Sequence, residues 1–153
     1  MKTSFNKPEA YEKYYQILLR DAKFFTTLKD IFMLAAVIGF KNRVTLPFSK
    51  SGGDPIKAHI FDQEDFNIMD IIAIETTKDL NILLSENQDE KFKLIEEYAH
   101  AGIKHIVDNI FIGEEIPSKD KFLEFVCQYA PENNTTRQVD VSTMFSNILS
   151  DLS

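Results

Sequence analysis

Apolar residues recur at three- and four-residue spacing through most of this chain, a period that predicts a helical protein. Tyr11, Tyr14, Tyr15, Leu18 and Leu19 mark a first helix over 8–22. Pro8 in its first turn and Glu9 at the positive end of its dipole suit a helix start. Thr26 or Thr27 can cap a second helix, which runs through Leu28, Ile31, Phe32, Leu34, Ala35 and Ile38. From 31 to 40 the pattern is apolar nearly all round, which predicts the central buried helix. Gly39 lies near its end, followed by Lys41-Asn42-Arg43, whose cations suit C-terminal carbonyls. Further helices are predicted over 64–77, capped by Asp62 or Asp65, and over about 88–110. The stripe of this long helix is Phe92, Ile95, Ala99, Ile103, Ile106 and Ile110. Between them, 79–85 reads as a short helix or turn carrying Leu80, Leu83 and Leu84. Ser118 starts another helix through Phe122, Phe125, Val126 and Tyr129, ended before Pro131.

In 43–61 the period changes to two. RVTLPF alternates, SKSGGDP is a turn cluster, and IKAHIF alternates again, so a β-hairpin is expected there. Val44, Leu46 and Phe48 would face Ile56, Ala58 and Ile60, with Pro47 marking an edge strand. The polar stretch 131–138, PENNTTRQ, reads as a linker, and 139–152 as an amphipathic helix. The expected fold is mainly α: a single helical domain of six or seven helices with an inserted β-hairpin at about 43–61, the domain itself spanning 1–130. A C-terminal helix, 139–153, would follow the linker and pack on the domain or on a partner through Met144, Phe145, Ile148 and Leu149.

Composition narrows the class. The chain has 153 residues, 44% hydrophobic, with 13 Phe, 5 Tyr and no Trp, enough for one real core. The N-terminus is polar from the start, and the longest apolar run, 32–40, is too short to span a bilayer. One cysteine, Cys127, excludes an internal disulfide and a cysteine-based zinc site, and fits a reducing cytoplasm. In its apolar helical setting Cys127 is expected to be an inert core residue. The net charge of −7 is unevenly divided. Residues 1–57 carry ten Lys/Arg and five Asp/Glu, whereas 58–153 carry seven and nineteen. Such polarity can steer a polyanion, or can join the two halves within one fold.

Candidate chemistry is sparse. Glu96 and His100 stand at i and i+4 on the long helix, a geometry that can bind zinc or iron, with His59 or Glu97 as a third ligand. No HExxH, cysteine cluster, Walker A, Rossmann or G-x-S-x-G pattern is present, so the metal-dependent nuclease or hydrolase is a remote alternative and no cofactor is expected. Lys41, Arg43, Lys50 and Lys57 would place four cations on the hairpin, a surface able to meet phosphate without reading sequence. Gly102, in the middle of the long helix, costs about 1 kcal/mol relative to alanine. It is therefore expected to mark a close packing point.

The apolar helix with its exit, IFMLAAVIGFKNRVTLPF at 31–48, and IEEYAHAGI at 95–103 resemble the DNA phosphorothioation (Dnd) system-associated protein 4 family. These are small bacterial proteins encoded beside DNA sulfur-modification and phage-restriction genes. The resemblance implies a non-enzymatic accessory component of a DNA-modification or antiphage defence system, binding a larger protein of that system. The alternatives are a sequence-nonspecific DNA-binding or regulatory protein and, as a partner, a second copy of the chain. No membrane partner is expected.

Overall fold

Ile31–Phe40, ten residues in succession, are all buried, and the rest of the chain is arranged around the helix that carries them. The computed structural model describes residues 1–112 and 116–130. In chain order its elements are β1 (Ser4–Phe5), α1 (Glu12–Gln16), α2 (Leu28–Lys41), β2 (Ile56–Lys57), α3 (Gln63–Thr77), α4 (Gln88–Ile110) and α5 (Lys119–Cys127). The fold is mainly helical, with five α-helices among the described residues rather than the six or seven expected. Two differences account for this. The 79–85 segment, expected as a short helix or turn, takes the turn form as the 3₁₀ turns Leu80–Leu83 and Ser85–Asn87. The linker 131–138 and the amphipathic stretch 139–152 lie outside the described residues.

The expected first helix is one path of mixed winding. A 3₁₀ turn, Glu9–Tyr11, leads into α1, and a π-helical turn, Ile17–Asp21, follows it. Lys23 then takes a left-handed φ of 57° and ends it. The caps of the later helices follow the sequence. Thr27 accepts a hydrogen bond from the Asp30 amide, and Ser118 from the Lys121 amide. Asp62 and Asp65 bond each other's backbone amides in a reciprocal capping box.

α2 packs most extensively on α4. A Cβ on Gly102 would lie 1.7 Å from the Ala35 carbonyl oxygen, and one on Gly39 would lie 2.1 Å from that of Tyr98. Ala35 meets Gly102 while Gly39 meets Tyr98, so the helices run antiparallel. Each contributes one glycine to a crossing in which backbone touches backbone. The expected α4 stripe, from Phe92 to Ile110, is buried throughout. Phe5 of β1 enters an aromatic cluster, with ring centroids 4.3 Å from Phe92, 4.9 Å from Phe61 and 5.2 Å from Phe32. Phe122 of α5 stacks on Phe24, just before α2, at 4.8 Å. α5 buries Phe122, Phe125 and Val126. Cys127, about 100° further round the helix, is exposed, not a core residue as expected.

The hairpin expected at 43–61 does not form. The structure does contain a two-stranded antiparallel sheet, but β2 pairs with β1 at the N-terminus, Ser4 opposite Lys57 and Phe5 opposite Ile56. The Ala58 amide extends the pairing to the Thr3 carbonyl. Further along, Pro8 bridges Ser51, and the Glu9 and Gly52 amides donate to the Lys50 and Lys7 carbonyls. The register slips by two residues between these stretches, and Gly53, with φ 65°, lies in the slip. Residues 44–48 form no strand because their backbone bonds go to the helices, the Val44 amide to the Gly39 carbonyl of α2 and Leu46 to α4. The Leu46 amide donates to the Glu97 carbonyl, and Pro47 has no amide to give. Val44 and Ile60, expected to face each other across a core-facing hairpin, are both exposed.

Candidate functional site

Glu96 and His100 stand one turn apart on α4, and each is committed to a different covering segment. Glu96 is 4% exposed. Its Oε2 accepts from the Asn6 backbone amide and lies 3.0 Å from the Lys2 ammonium. Burial pushes its carboxyl above the usual carboxylate range. The Asn6 amide and Lys2 pull the other way, and neighbouring Glu97 pushes it up again. Lys2 is anchored further by its amide on Asp89 and by its carbonyl, which accepts from Gln88. The carboxylate thus holds the N-terminal segment against α4.

His100 Nδ1 lies 2.9 Å from the Leu46 carbonyl oxygen. A carbonyl only accepts, so Nδ1 carries the proton in this contact. The imidazole also sits edge-on to two rings, Phe48 at 5.4 Å and Tyr11 at 5.6 Å. Leu46 therefore makes two bonds to one turn of α4, one from its amide to Glu97 and one from its carbonyl to His100. That pair fixes the path of 44–48. Among the described residues no group of three or more His, Cys, Asp or Glu is placed to hold a metal ion. His105, off the Glu96–His100 face, packs against Phe125 and Tyr129.

A cleft of about 360 Å³ opens beside Glu96 between the N-terminal segment and Phe48-Ser49, with Lys93 and Glu97 on its wall. Next to it Lys7 is fully buried, its ammonium 2.8 Å from Glu12 and 5.5 Å from the Tyr15 ring centroid. The Tyr15 hydroxyl is buried without a hydrogen-bond partner, and burial with nearby Glu12 pushes its pKa up. These groups pin the start of α1 beneath residues 50–53.

The four candidate DNA-contacting cations do not share one projecting element. Lys41 and Arg43 end α2, where Arg43 takes a left-handed φ of 58° and its guanidinium lies over the Phe40 ring at 4.3 Å. Lys57 lies in β2, which pairs with the strand whose Phe5 packs on Phe32 and Phe92. Phe32 is eight residues from Phe40, roughly 12 Å along the helix axis. Lys50 lies in the segment paired with 7–9. Part of the charge asymmetry is satisfied within the fold. Lys2 of the basic stretch pairs with Glu96 of the acidic one, and Lys29 with Asp65 at 2.8 Å.

The profile of the family described as DNA sulphur modification system-associated protein 4 matches residues 5–144. The chain belongs to that family. No curated protein and no solved structure matches it. In this member of the DNA sulphur modification system-associated protein 4 family, the matched span contains the glycine crossing of α2 and α4, Glu96, His100 and the loop they secure. It also reaches Met144, although Met144, Phe145, Ile148 and Leu149 lie outside the described residues. Sequence reasoning missed Lys2, Asn6 and Lys7 altogether. Lys2 and Asn6 meet partners some ninety positions away, and no local pattern signals such a contact. No helix among the described residues is long and apolar enough to cross a membrane.

Proposed function

We propose that this chain is a non-enzymatic accessory component of a DNA sulphur-modification system, serving antiphage defence in the cytoplasm by binding a larger protein of that system. Family membership supports the system. The observation that carries the binding role is the commitment of Glu96 and His100. These two side chains offered the most chemistry in the sequence, and both hold covering segments on α4 through intrachain bonds. Met144, Phe145, Ile148 and Leu149 form one proposed docking surface. Duplex DNA is the weaker reading, since the four cations are dispersed over the fold.

The test uses tagged protein in its native host, with co-purification and phage challenge read together. A larger protein of the system should co-purify. Phe145→Asp and Leu149→Asp should lose it while keeping their melting temperature, because a charge in a docking face is costly to desolvate. Glu96→Gln and His100→Asn should keep both the partner and protection. A folded Glu96→Gln or His100→Asn protein that gives no protection would replace the accessory role with a catalytic or metal site.

A further inference from the structure

The connection between α3 and α4 presents apolar side chains that the fold does not use. Leu80, Leu83 and Leu84 are 69%, 38% and 48% exposed. In the 3₁₀ turn Leu80–Leu83, residues three apart eclipse, so Leu80 and Leu83 point the same way, and Leu84 follows directly. Only Ile82 of this turn is buried. The backbone is held as well. Asp79 accepts from the Asn81 amide, the Leu84 amide donates to the Asn81 carbonyl, and the Asn87 side chain donates to the same carbonyl. A bonded turn that exposes three leucines is a preorganised apolar surface, which lowers the ordering cost of association.

The charge along this connection is acidic, and the two lysines that flank it, Lys78 and Lys91, are paired with Glu75 and Asp70. Residues 79–90 contain Asp79, Glu86, Asp89 and Glu90 and no Lys, Arg or His, and all four carboxylates are exposed. An apolar surface rimmed by carboxylates repels nucleic acid and complements a segment that carries both apolar anchors and cations. The chain's own apolar stretch does not fit, because 137–152 carries one Arg and two Asp.

We propose that Leu80, Leu83 and Leu84, with the carboxylates of Glu86 and Glu90, form a docking surface for a basic amphipathic segment of the larger partner protein. This rests on the accessory role above and names the chemistry of what that role would bind. The apolar anchors lie over the leucines and the cations lie along the acidic rim, so binding weakens with salt.

The experiment uses the full chain and a fluorescein-labelled 18-residue amphipathic peptide of leucine and lysine. A leucine–glutamate peptide and a glycine–lysine peptide serve as comparators, and binding is followed by anisotropy. The leucine–lysine peptide should bind more tightly than both comparators. The triple variant Leu80→Ser, Leu83→Ser, Leu84→Ser should lose at least about tenfold in affinity, as should Glu86→Lys with Glu90→Lys. Both variants change exposed positions only, and an unchanged melting temperature confirms that they fold. Equal binding by either folded variant, or equal binding of the glutamate peptide, overturns the proposal. So does self-association that the leucine variant abolishes, since the occupant is then a second copy of the chain. Co-purification from the host separates this inference from the functional reading. A larger partner retained in full by the triple-serine variant sinks the surface and leaves the accessory role standing, whereas no partner with wild type sinks the role itself.

Discussion

Gly102 of α4 stands directly against the carbonyl of Ala35 in α2, so close that a single Cβ there would lie 1.7 Å from that oxygen. The obstruction is backbone and cannot rotate away. Gly102→Ala gains about 1 kcal/mol of helix propensity, but it must push the two central helices apart, and the clash outweighs the gain. The variant should lose roughly 1–3 kcal/mol in chemical denaturation, Gly102→Leu more, and Gly39→Ala a similar amount. A Gly102→Ala protein as stable as wild type would mean the crossing is looser than described.

The Glu96 carboxyl has a folded-state pKa above its ordinary value, because burial outweighs the help of Asn6 and Lys2. For a raised pKa, the associated stability is full below the unfolded value and is lost as pH rises through the folded one. Glu96→Gln keeps an acceptor for the Asn6 amide and removes the titration. The stability difference, variant minus wild type, should therefore shift in the variant's favour between about pH 4 and pH 7. Parallel denaturation curves at these two pH values measure it, and a shift toward wild type at the higher pH would reverse the sign argued here.

His100→Ala removes the bond to the Leu46 carbonyl and the edge contacts with Tyr11 and Phe48. It should cost about 1–3 kcal/mol. The loss should be local first. Amide exchange should quicken at Leu46, whose N–H is held on the Glu97 carbonyl, before it changes within Ile31–Phe40. Unaltered protection of Leu46 would show that His100 does not hold the loop.

Four cations gathered on one DNA-facing element would contribute about −3.6 to the log–log salt slope. Dispersed as they are here, replacing Lys41, Arg43, Lys50 and Lys57 with Ala should change the slope of any duplex retention by less than about 1. A drop near the full value would restore DNA as the partner.

The helical class, the helix starts at Thr27, Asp62 and Ser118, the buried α2 and the α4 stripe were all legible in the sequence. Each depends on a period or a cap within a few residues, where local sterics and hydrogen bonding decide. Gly102 was legible for the same reason, since an uncompensated mid-helix glycine implies a neighbour, although the sequence did not say which one.

Tertiary structure alone decided where 43–58 finds its bonds. Alternation in 43–48 and 56–60 satisfied a hairpin equally well on paper. Once α4 is in place, its Glu97 carbonyl and His100 side chain take Leu46, and the N-terminal strand takes Ile56 and Lys57. That choice dispersed the four cations and turned Glu96 and His100 from candidate ligands into anchors. Leu80, Leu83 and Leu84 were decided in the same way. Their spacing suits a core face, but Ile82 alone is buried in that turn, so the three leucines remain in solvent. Periodicity fixes which residues share a face. Only the packing of distant elements fixes what, if anything, that face meets.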